Sequence, residues 1–355
     1  MAASILVYGA TGFTGKLIVE AARRLGLAPV LAGRDRARVE RLARSLGLDF
    51  RVASLSQPGE LVDALRGMSV VLNAAGPFVA TVRPLLQACL QVKASYLDVS
   101  GELEALEQVA AYGHEALTRG VMLLPGVGFD IVPSDCLCAH VARRAARPSI
   151  LRIAVSGLEL MSPGSGATLA AQLGRATRVR RAGRLQEVPP GSLTRSFDFG
   201  SGPRLCAAVT WGDLACAHFT TGIENVETYF ELTPAVAVML QSSRFGAWFF
   251  DLPGVREGLA RQAKLWTPEP SAAERERRRA TLVAEVEEVT GRRVAARLST
   301  PEAYTLTACV AAEILRRVAA GDLEPGFQTP ARLLGPQFIL GFEGVQRMDV
   351  DPSRN

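Results

Sequence analysis

Three residue types are scarce in this 355-residue chain, and their scarcity excludes several kinds of site. The chain has three histidines and six cysteines, and no two cysteines are spaced as C-x-x-C, so neither a zinc site nor a disulfide framework is indicated. Only three of its 40 basic residues are lysines. The arginines are scattered, and their densest run, residues 275–279, is interrupted by an acid. Together with a net charge of only +5, this pattern indicates no nucleic-acid partner.

A long apolar run and a basic N-terminal leader are also absent. No uninterrupted apolar stretch approaches the roughly 18 residues that a membrane span needs. The first strand begins within four residues of Met1, without the basic region of a signal peptide. We therefore expect a cytoplasmic protein with free thiols and no transmembrane segment.

The most informative stretch lies near the N-terminus. The apolar run Ile5–Tyr8 leads into a glycine-rich turn, and a helical sequence follows. Strand, glycine turn and helix in this order form the phosphate-binding corner of a dinucleotide-binding unit, because glycine lets the backbone approach a pyrophosphate and the helix start offers free N–H groups. The predicted cofactor contacts in this glycine corner are Gly9, Thr11, Gly12, Phe13, Thr14 and Gly15.

The first 130 residues alternate short apolar strands with helices. Six such units predict a doubly wound parallel sheet with helices on both faces, a Rossmann-type domain over residues 1–133. The chain is longer than one core usually allows. After Pro148 the strands alternate as in a mixed or antiparallel sheet, which predicts a second α+β domain over 134–325. We expect residues 326–355 to form a C-terminal segment that packs back on the first domain.

The second strand ends at Gly33-Arg34-Asp35, where cofactor specificity is usually decided. An arginine at this position accommodates the 2′-phosphate of NADP, whereas an acid binds the ribose 2′-hydroxyl of NAD. The bidentate, permanently charged guanidinium of Arg34 favours NADP. Asp35 keeps NAD as the alternative.

The fourth strand ends in small residues, which leave room for a ligand at the carboxyl edge of the sheet. This edge is where parallel sheets bind their cofactors, so the turn is expected to line the dinucleotide. The predicted contacts are Asn73, Ala74, Ala75, Gly76, Pro77 and Phe78.

A familiar catalytic pair is missing. No tyrosine is followed four residues later by a lysine, which excludes the Tyr-x-x-x-Lys machinery of short-chain dehydrogenases. A cofactor-binding sensor or scaffold that catalyses nothing therefore stays open as a function of another class.

Several segments together carry a family resemblance. They are Gly9–Gly15, Ala32–Arg34, Asn73–Phe78, Tyr96–Glu102 and, most specific, Leu124–Asp135, which contains Gly-Phe-Asp-Ile-Val-Pro-Ser-Asp. The set closely resembles the saccharopine dehydrogenase-like oxidoreductases, and within that family the branch that includes trans-acting enoyl reductases of lipid and polyketide assembly. The similarity continues in Ser165–Thr168 and Gln328–Ala331, so it covers nearly the whole chain. It departs at Ser299–Tyr304, where the family often has Pro-Gly-Tyr.

The resemblance implies an NADPH-dependent reductase whose substrate is a small molecule or an acyl thioester. A C=C bond conjugated to a carbonyl is the favoured target, and a C=N compound of the saccharopine or opine type is the alternative. A carrier protein or polyketide synthase is then an expected partner, and a homodimer is left open. Gly128 and Phe129 join the expected cofactor contacts.

Three residues are candidate catalytic groups. Asp130 follows the sixth strand, where burial would raise its pKa and make it a proton donor or a substrate anchor. Tyr96 and Asp98 alternate onto one face of the fifth strand, towards the nicotinamide, with a structural pair as the alternative. For Ser134 and Asp135, a catalytic role and capping of the helix that begins near Pro133 are equal alternatives.

Two features of the predicted second domain have structural interpretations. His218 is predicted on a strand, as a hydrogen-bonded structural residue. The aromatic run 245–250 is best explained as core at helical spacing, with an acyl-chain pocket or a membrane surface as alternatives.

Overall fold

The computed structural model describes residues 4–250 and 252–350 and divides the chain into two compact units. The first unit contains the chain up to Val132 together with Tyr304–Leu334. The second contains Pro133–Ala303 and the described residues from Gly335 to Val350. Among the described helices, none has the length and apolar character needed to cross a bilayer.

The strands and helices are numbered here in chain order. The strands are β1 (Ile5–Tyr8), β2 (Val30–Gly33), β3 (Phe50–Val52), β4 (Val70–Asn73), β5 (Ser95–Asp98), β6 (Met122–Leu124), β7 (Pro148–Ser156), β8 (Thr177–Arg181), β9 (Arg184–Val188), β10 (Thr194–Asp198), β11 (Pro203–Ala208), β12 (Val226–Glu231), β13 (Arg279–Glu288), β14 (Arg293–Pro301), β15 (Gly326–Phe327) and β16 (Gln346–Val350). The helices are α1 (Phe13–Arg24), α2 (Arg36–Leu46), α3 (Pro58–Leu65), α4 (Phe78–Val92), α5 (Leu103–Ala111), α6 (Gly113–Arg119), α7 (Val132–Ala142), α8 (Pro163–Gln172), α9 (Asp213–Thr221), α10 (Pro234–Phe245), α11 (Ala247–Phe250), α12 (Val255–Trp266), α13 (Ala272–Glu276), α14 (Ala303–Ala319) and α15 (Pro330–Leu334), and a 3-10 turn spans Phe338–Gly341.

The first unit is built on a parallel sheet with the order β15-β6-β5-β4-β1-β2-β3. The central strands β1, β4 and β5 are buried along their whole length, as expected where helices cover both faces of a sheet. The order reverses between β1 and β4, which lie side by side. This is the predicted doubly wound sheet, and its ligand crevice is expected at this reversal, outside the carboxyl ends of the strands.

The second unit contains a mixed sheet, which confirms the predicted fold class. Its main path runs β10-β11-β12-β7-β13-β14-β16, with β8 and β9 joined at one side through β12. The β7–β12 pair is parallel, and the other pairs on the main path are antiparallel. The long hairpin β13–β14 turns at Gly291, whose φ of +81° suits glycine.

The observed units differ from the predicted domain boundaries in the C-terminal third. The division near residue 133 coincides with the predicted one, but residues 304–325, predicted in the second domain, lie in the first unit. Residues 326–334 also lie in the first unit, whereas the chain from Gly335 lies in the second. The helix pattern of 303–319 shows an apolar face but not which partner covers it. Ala308 and Ala312 pack against Ala21 and Ala22 of α1.

Two predictions for the second unit are wrong. His218 lies on α9, and its Nδ1 is 2.9 Å from the carbonyl oxygen of Ile223. The helix ends at Gly222 in the left-handed conformation, and this C-cap outweighs the short strand-like alternation before it. The aromatic side chains of Trp248 and Phe249 are not core, because they are 71% and 44% exposed.

A network of charged side chains lies on the second sheet. Arg152 Nε is 3.0 Å from Glu227 Oε2, and its Nη1 is 2.8 Å from Glu287 Oε2. Tyr229 donates its hydroxyl proton to Glu227, with an oxygen–oxygen distance of 2.8 Å. Because Glu227 is buried, its carboxylate depends on these partners for the solvation that it has lost.

We expect Arg152→Ala to destabilise the second unit by about 3–5 kcal/mol, because it leaves a buried carboxylate short of a partner. The matched control is Arg204→Ala. Arg204 lies 2.8 Å from Glu231 and its side chain is 47% exposed, so its loss should cost about 0–1 kcal/mol. Urea unfolding of both variants measures the difference, and equal losses would contradict the role assigned to Arg152.

Candidate functional site

The glycine corner packs backbone directly against backbone. Gly9 has a φ of +83°, and a Cβ placed on it would lie 2.8 Å from the amide nitrogen of Ala75. A Cβ on Gly15 would collide with the carbonyl oxygen of Gly9. The first and third glycines are therefore required by the close approach of β1, α1 and the turn after β4.

The second glycine has a different role, because Gly12 is exposed and is the N-cap of α1. No side chain caps this helix, although the first amides of a helix have no intrahelical acceptor. The helix dipole adds partial positive charge at the same end. An exposed helix start with a glycine N-cap and without a capping side chain fits the pyrophosphate of a dinucleotide.

The end of β2 presents two cationic side chains and one engaged acid. Arg34 is exposed directly after the strand. The Asp35 carboxylate caps α2 by accepting the backbone N–H of Arg38 at 3.1 Å. Arg38 Nη2 in turn lies 3.4 Å from the carbonyl oxygen of Thr11 in the glycine corner. The acid therefore caps the start of α2, while Arg34 and Arg38 place two cationic residues at this end of β2.

Asn73 holds the turn that follows β4. Its side chain is buried and donates to Thr81 Oγ1 at 2.9 Å and to the Tyr96 hydroxyl at 3.2 Å. Its Oδ1 accepts the backbone N–H of Ala75 at 3.0 Å. Beyond it, Ala74, Ala75 and Phe78 are half-buried, and Gly76 and Pro77 are exposed. The turn thus has a buried polar anchor and an accessible outer edge.

Tyr96 and Asp98 both have structural partners. Tyr96 is fully buried, and burial raises the pKa of its phenol well above the usual range. Asp98 Oδ1 accepts the backbone N–H groups of Ser100 at 2.9 Å and of Gly126 at 3.0 Å, which ties the end of β5 to the loop after β6. Burial raises the pKa of Asp98 to about 6. These contacts favour the structural alternative for the pair.

Glu102 caps the helix that follows the Asn73 turn. Its two carboxylate oxygens accept the backbone N–H groups of Phe78 at 3.0 Å and of Val79 at 2.9 Å. A buried carboxylate at a helix N-terminus is stabilised by both hydrogen bonds and the helix dipole. Sequence reasoning missed this role, since residues 102 and 78 are joined only by the fold.

Asp130 lies against Gly101, next to Glu102 in the sequence. It is half-buried, and a Cβ on Gly101 would lie 2.6 Å from the Asp130 Cβ, so the carboxyl side chain packs directly on the Gly101 backbone. Burial and, second, the negative charge of Glu102 raise the pKa of Asp130 to about 7. A carboxyl group with this pKa is partly protonated at neutral pH and is able to donate a proton.

Gly128 and Phe129 form a buried turn just before Asp130. The backbone N–H of Phe129 donates to Thr307 Oγ1 at 2.9 Å. The structure therefore brings the glycine corner, the Asn73 turn and the 128–130 turn together in the first unit, at the carboxyl ends of β1, β4, β5 and β6.

Ser134 and Asp135 lie in the second unit and are buried. Ser134 Oγ donates to Asp213 Oδ1 at 2.5 Å, and Thr220 Oγ1 donates to Asp135. Both side chains are thus engaged with α9. Within residues 4–250 and 252–350, no group of three His, Cys, Asp or Glu side chains is placed to hold a metal ion.

Comparison with known proteins shows which proteins the first unit is similar to. Residues 5–124 match the family model of the saccharopine dehydrogenase NADP-binding domain. The chain is 33% identical over 166 residues to a trans-acting enoyl reductase of Mycobacterium ulcerans, a match covering 44% of this chain and 40% of the relative. It is 30% identical over 151 residues to the human saccharopine dehydrogenase-like oxidoreductase, covering 37% and 35% of the two chains. The matched stretch thus spans less than half of either relative.

The fold has a solved counterpart over almost its whole length. The apo saccharopine dehydrogenase (L-Glu forming) of Saccharomyces cerevisiae superposes with a TM-score of 0.65, covering 98% of this chain and 100% of that one at 12% identity. Such low identity shows the shared fold alone. Residues 5–124 are thus similar to the NADP-binding domain of saccharopine dehydrogenases, and the chain is similar in sequence to saccharopine dehydrogenase-like oxidoreductases.

Proposed function

We propose that this protein is an NADPH-dependent reductase, with an enoyl C=C bond as its favoured target. The observation that carries the proposal is the Asp130 carboxyl group, whose pKa is raised to about 7 and which lies in the same unit as the glycine corner. A reductase needs a hydride donor and a proton donor. The first unit offers a binding site for the hydride donor, and the Asp130 side chain is suited to be the proton donor.

Bound NADPH supplies the hydride in this chemistry. The start of α1 would hold the pyrophosphate, and Arg34 with Arg38 would pair with the 2′-phosphate. Asp130 donates the proton that completes reduction, to the carbon next to the carbonyl of an enoyl substrate or to the nitrogen of an imine. Tyr96 and Asp98 anchor the turns that carry these groups through their buried hydrogen bonds.

The enoyl substrate is favoured by the relatives of this chain, among which is the trans-acting enoyl reductase of Mycobacterium ulcerans. An acyl substrate would reach the protein as a thioester, either free or on a carrier protein or polyketide synthase. The C=N alternative rests on the saccharopine dehydrogenase fold, which the chain shares at low identity. A cofactor-binding sensor without turnover is the alternative of another class.

The decisive experiment follows NADPH oxidation with two substrate panels. One panel offers enoyl thioesters, free and carrier-bound, and the other offers keto acids mixed with amines. Oxidation with the first panel alone supports the enoyl reductase. Oxidation with the second alone replaces it with imine reduction, and tight NADPH binding without oxidation on either panel favours the sensor.

We expect tighter binding of NADPH than of NADH, because Arg34 and Arg38 pair with the extra phosphate while Asp35 is engaged at the start of α2. Loss of a charge-assisted hydrogen bond costs about 1.5–3 kcal/mol, so Arg34→Ala should weaken NADPH binding by roughly tenfold or more and leave NADH binding unchanged. Arg38→Ala should act in the same direction. Titration calorimetry with both cofactors measures the two affinities.

The matched control for these variants is Arg44→Ala. Arg44 lies on α2 as well, but its side chain is 79% exposed and pairs with Glu40 at 2.6 Å. We expect no change in cofactor preference from its loss. Equal affinities of the unmutated protein for NADPH and NADH would rule out the role of Arg34.

The activity should depend on the protonation of Asp130. A donor must carry its proton, so turnover should be highest below about pH 7 and fall as the pH rises through the Asp130 pKa. We expect Asp130→Asn to lower kcat by roughly 10²–10⁴-fold and to abolish this fall, with NADPH affinity retained.

The control for Asp130 is Asp63→Asn, which removes a carboxylate that is 70% exposed and pairs with Arg66. It should leave the pH profile of kcat unchanged. An unaltered profile in Asp130→Asn would show that the proton comes from elsewhere, such as solvent.

A further inference from the structure

One helix contacts two segments of the cofactor site that are far apart in sequence. Helix α14 presents Tyr304, Thr307, Ala308 and Ala312 at spacings that place them on one helical face. These side chains are all buried, and their partners lie in the first unit, at the start of α1 and in the 128–129 turn.

The contact with the glycine corner is aromatic. The Tyr304 ring meets the Phe13 ring edge-on, with centroids 5.2 Å apart and an interplanar angle of 79°. Phe13 is the first residue of α1, directly after the exposed N-cap Gly12. One and two turns further along α14, Ala308 and Ala312 pack on Ala21 and Ala22 of α1. Small side chains on both helices allow this close approach, so Tyr304 sits at a fixed position above the first turn of α1.

The contact with the 128–129 turn is a hydrogen bond and a close packing contact. Thr307 Oγ1 accepts the buried N–H of Phe129 at 2.9 Å. A Cβ on Gly128 would lie 3.0 Å from Thr307 Cγ2, so the threonine methyl fills the space that a side chain at 128 would need. Thr307 therefore fixes both the direction of the Phe129 amide and the path of the chain into Asp130.

We propose that Tyr304 and Thr307 are positioning residues for the dinucleotide, acting through Phe13 and through the 128–129 turn. Neither residue needs to contact the cofactor. Their effect is to hold the first turn of α1 and the chain before Asp130 in one fixed arrangement, so that binding requires no ordering of either segment. This inference rests on the proposed function of the first unit as the NADPH-binding site.

Calorimetric titration of the full chain with NADPH tests the proposal. Thr307→Val keeps the shape but removes the acceptor of the Phe129 N–H, and we expect roughly tenfold weaker NADPH binding. Thr307→Ser keeps the oxygen and should bind within about twofold of the unmutated chain. Tyr304→Leu should weaken binding in the same way, and Tyr304→Phe, which keeps the ring, should restore it.

A variant elsewhere on the same helix distinguishes the positioning role from a purely structural one. Ile314→Val thins the buried core of α14 away from Tyr304 and Thr307, so it should lower the melting temperature of the apo protein and leave NADPH affinity unchanged. Affinity that falls equally in Ile314→Val and Thr307→Val would overturn the proposal in favour of general destabilisation. Unchanged affinity in both Thr307→Val and Tyr304→Leu would overturn it as well.

The binding measurement needs no substrate, so the absence of turnover with every acceptor would leave this test intact. Failure of the unmutated chain to bind NADPH would overturn both the proposed function and the positioning role. Binding by the unmutated chain with no effect of the substitutions would overturn the positioning role alone.

Discussion

The first unit depends on one constraint: backbone must pass against backbone where β1 turns into α1. A side chain at Gly9 would strike the turn after β4, and one at Gly15 would strike Gly9 itself. This close packing brings the start of α1 next to the carboxyl ends of β1 and β4, where the strand order reverses. The absence of side chains at these two positions is therefore what makes a dinucleotide cradle at this edge of the sheet.

The carboxyl groups around this cradle have two different roles. Asp98 and Glu102 accept backbone N–H groups and so fix the turns after β5, β6 and β4. Asp130 is held above Gly101, where burial and, second, the Glu102 charge raise its pKa and favour its protonated form. The structural role of one carboxylate thus tunes the acidity of the other, because like charges in a poorly solvated site oppose ionisation.

The sequence predicts the first unit closely because its signals are local. The helices α2 and α4 begin directly after Asp35 and the Gly-Pro turn, residues that mark helix starts in the sequence itself. Doubly wound order follows from the alternation of apolar strands and helices. The family match over residues 5–124 covers the same part of the chain.

What the sequence did not predict depends on contacts between distant segments. Arg38 lies near Thr11, Glu102 caps the helix that starts at Phe78, and Thr307 accepts from Phe129 only because the fold brings them together. In the second unit, the run around His218 alternates over too few residues to separate strand from helix, and the left-handed Gly222 decides for helix. Local patterns cannot report such partners.

The return of α14 and β15 to the first unit has a consequence for how the protein is made. The sheet that β1 begins receives its seventh strand, at residues 326–327, only after the whole of 133–303 has been synthesised. Until then, the edge of β6 that β15 covers has no partner strand from this segment, and the face of α1 around Ala21 lacks α14. An exposed strand edge on a nascent chain invites wrong pairing. The first unit is therefore completed only after residues 133–303 have been synthesised, although its residues up to 132 leave the ribosome before them.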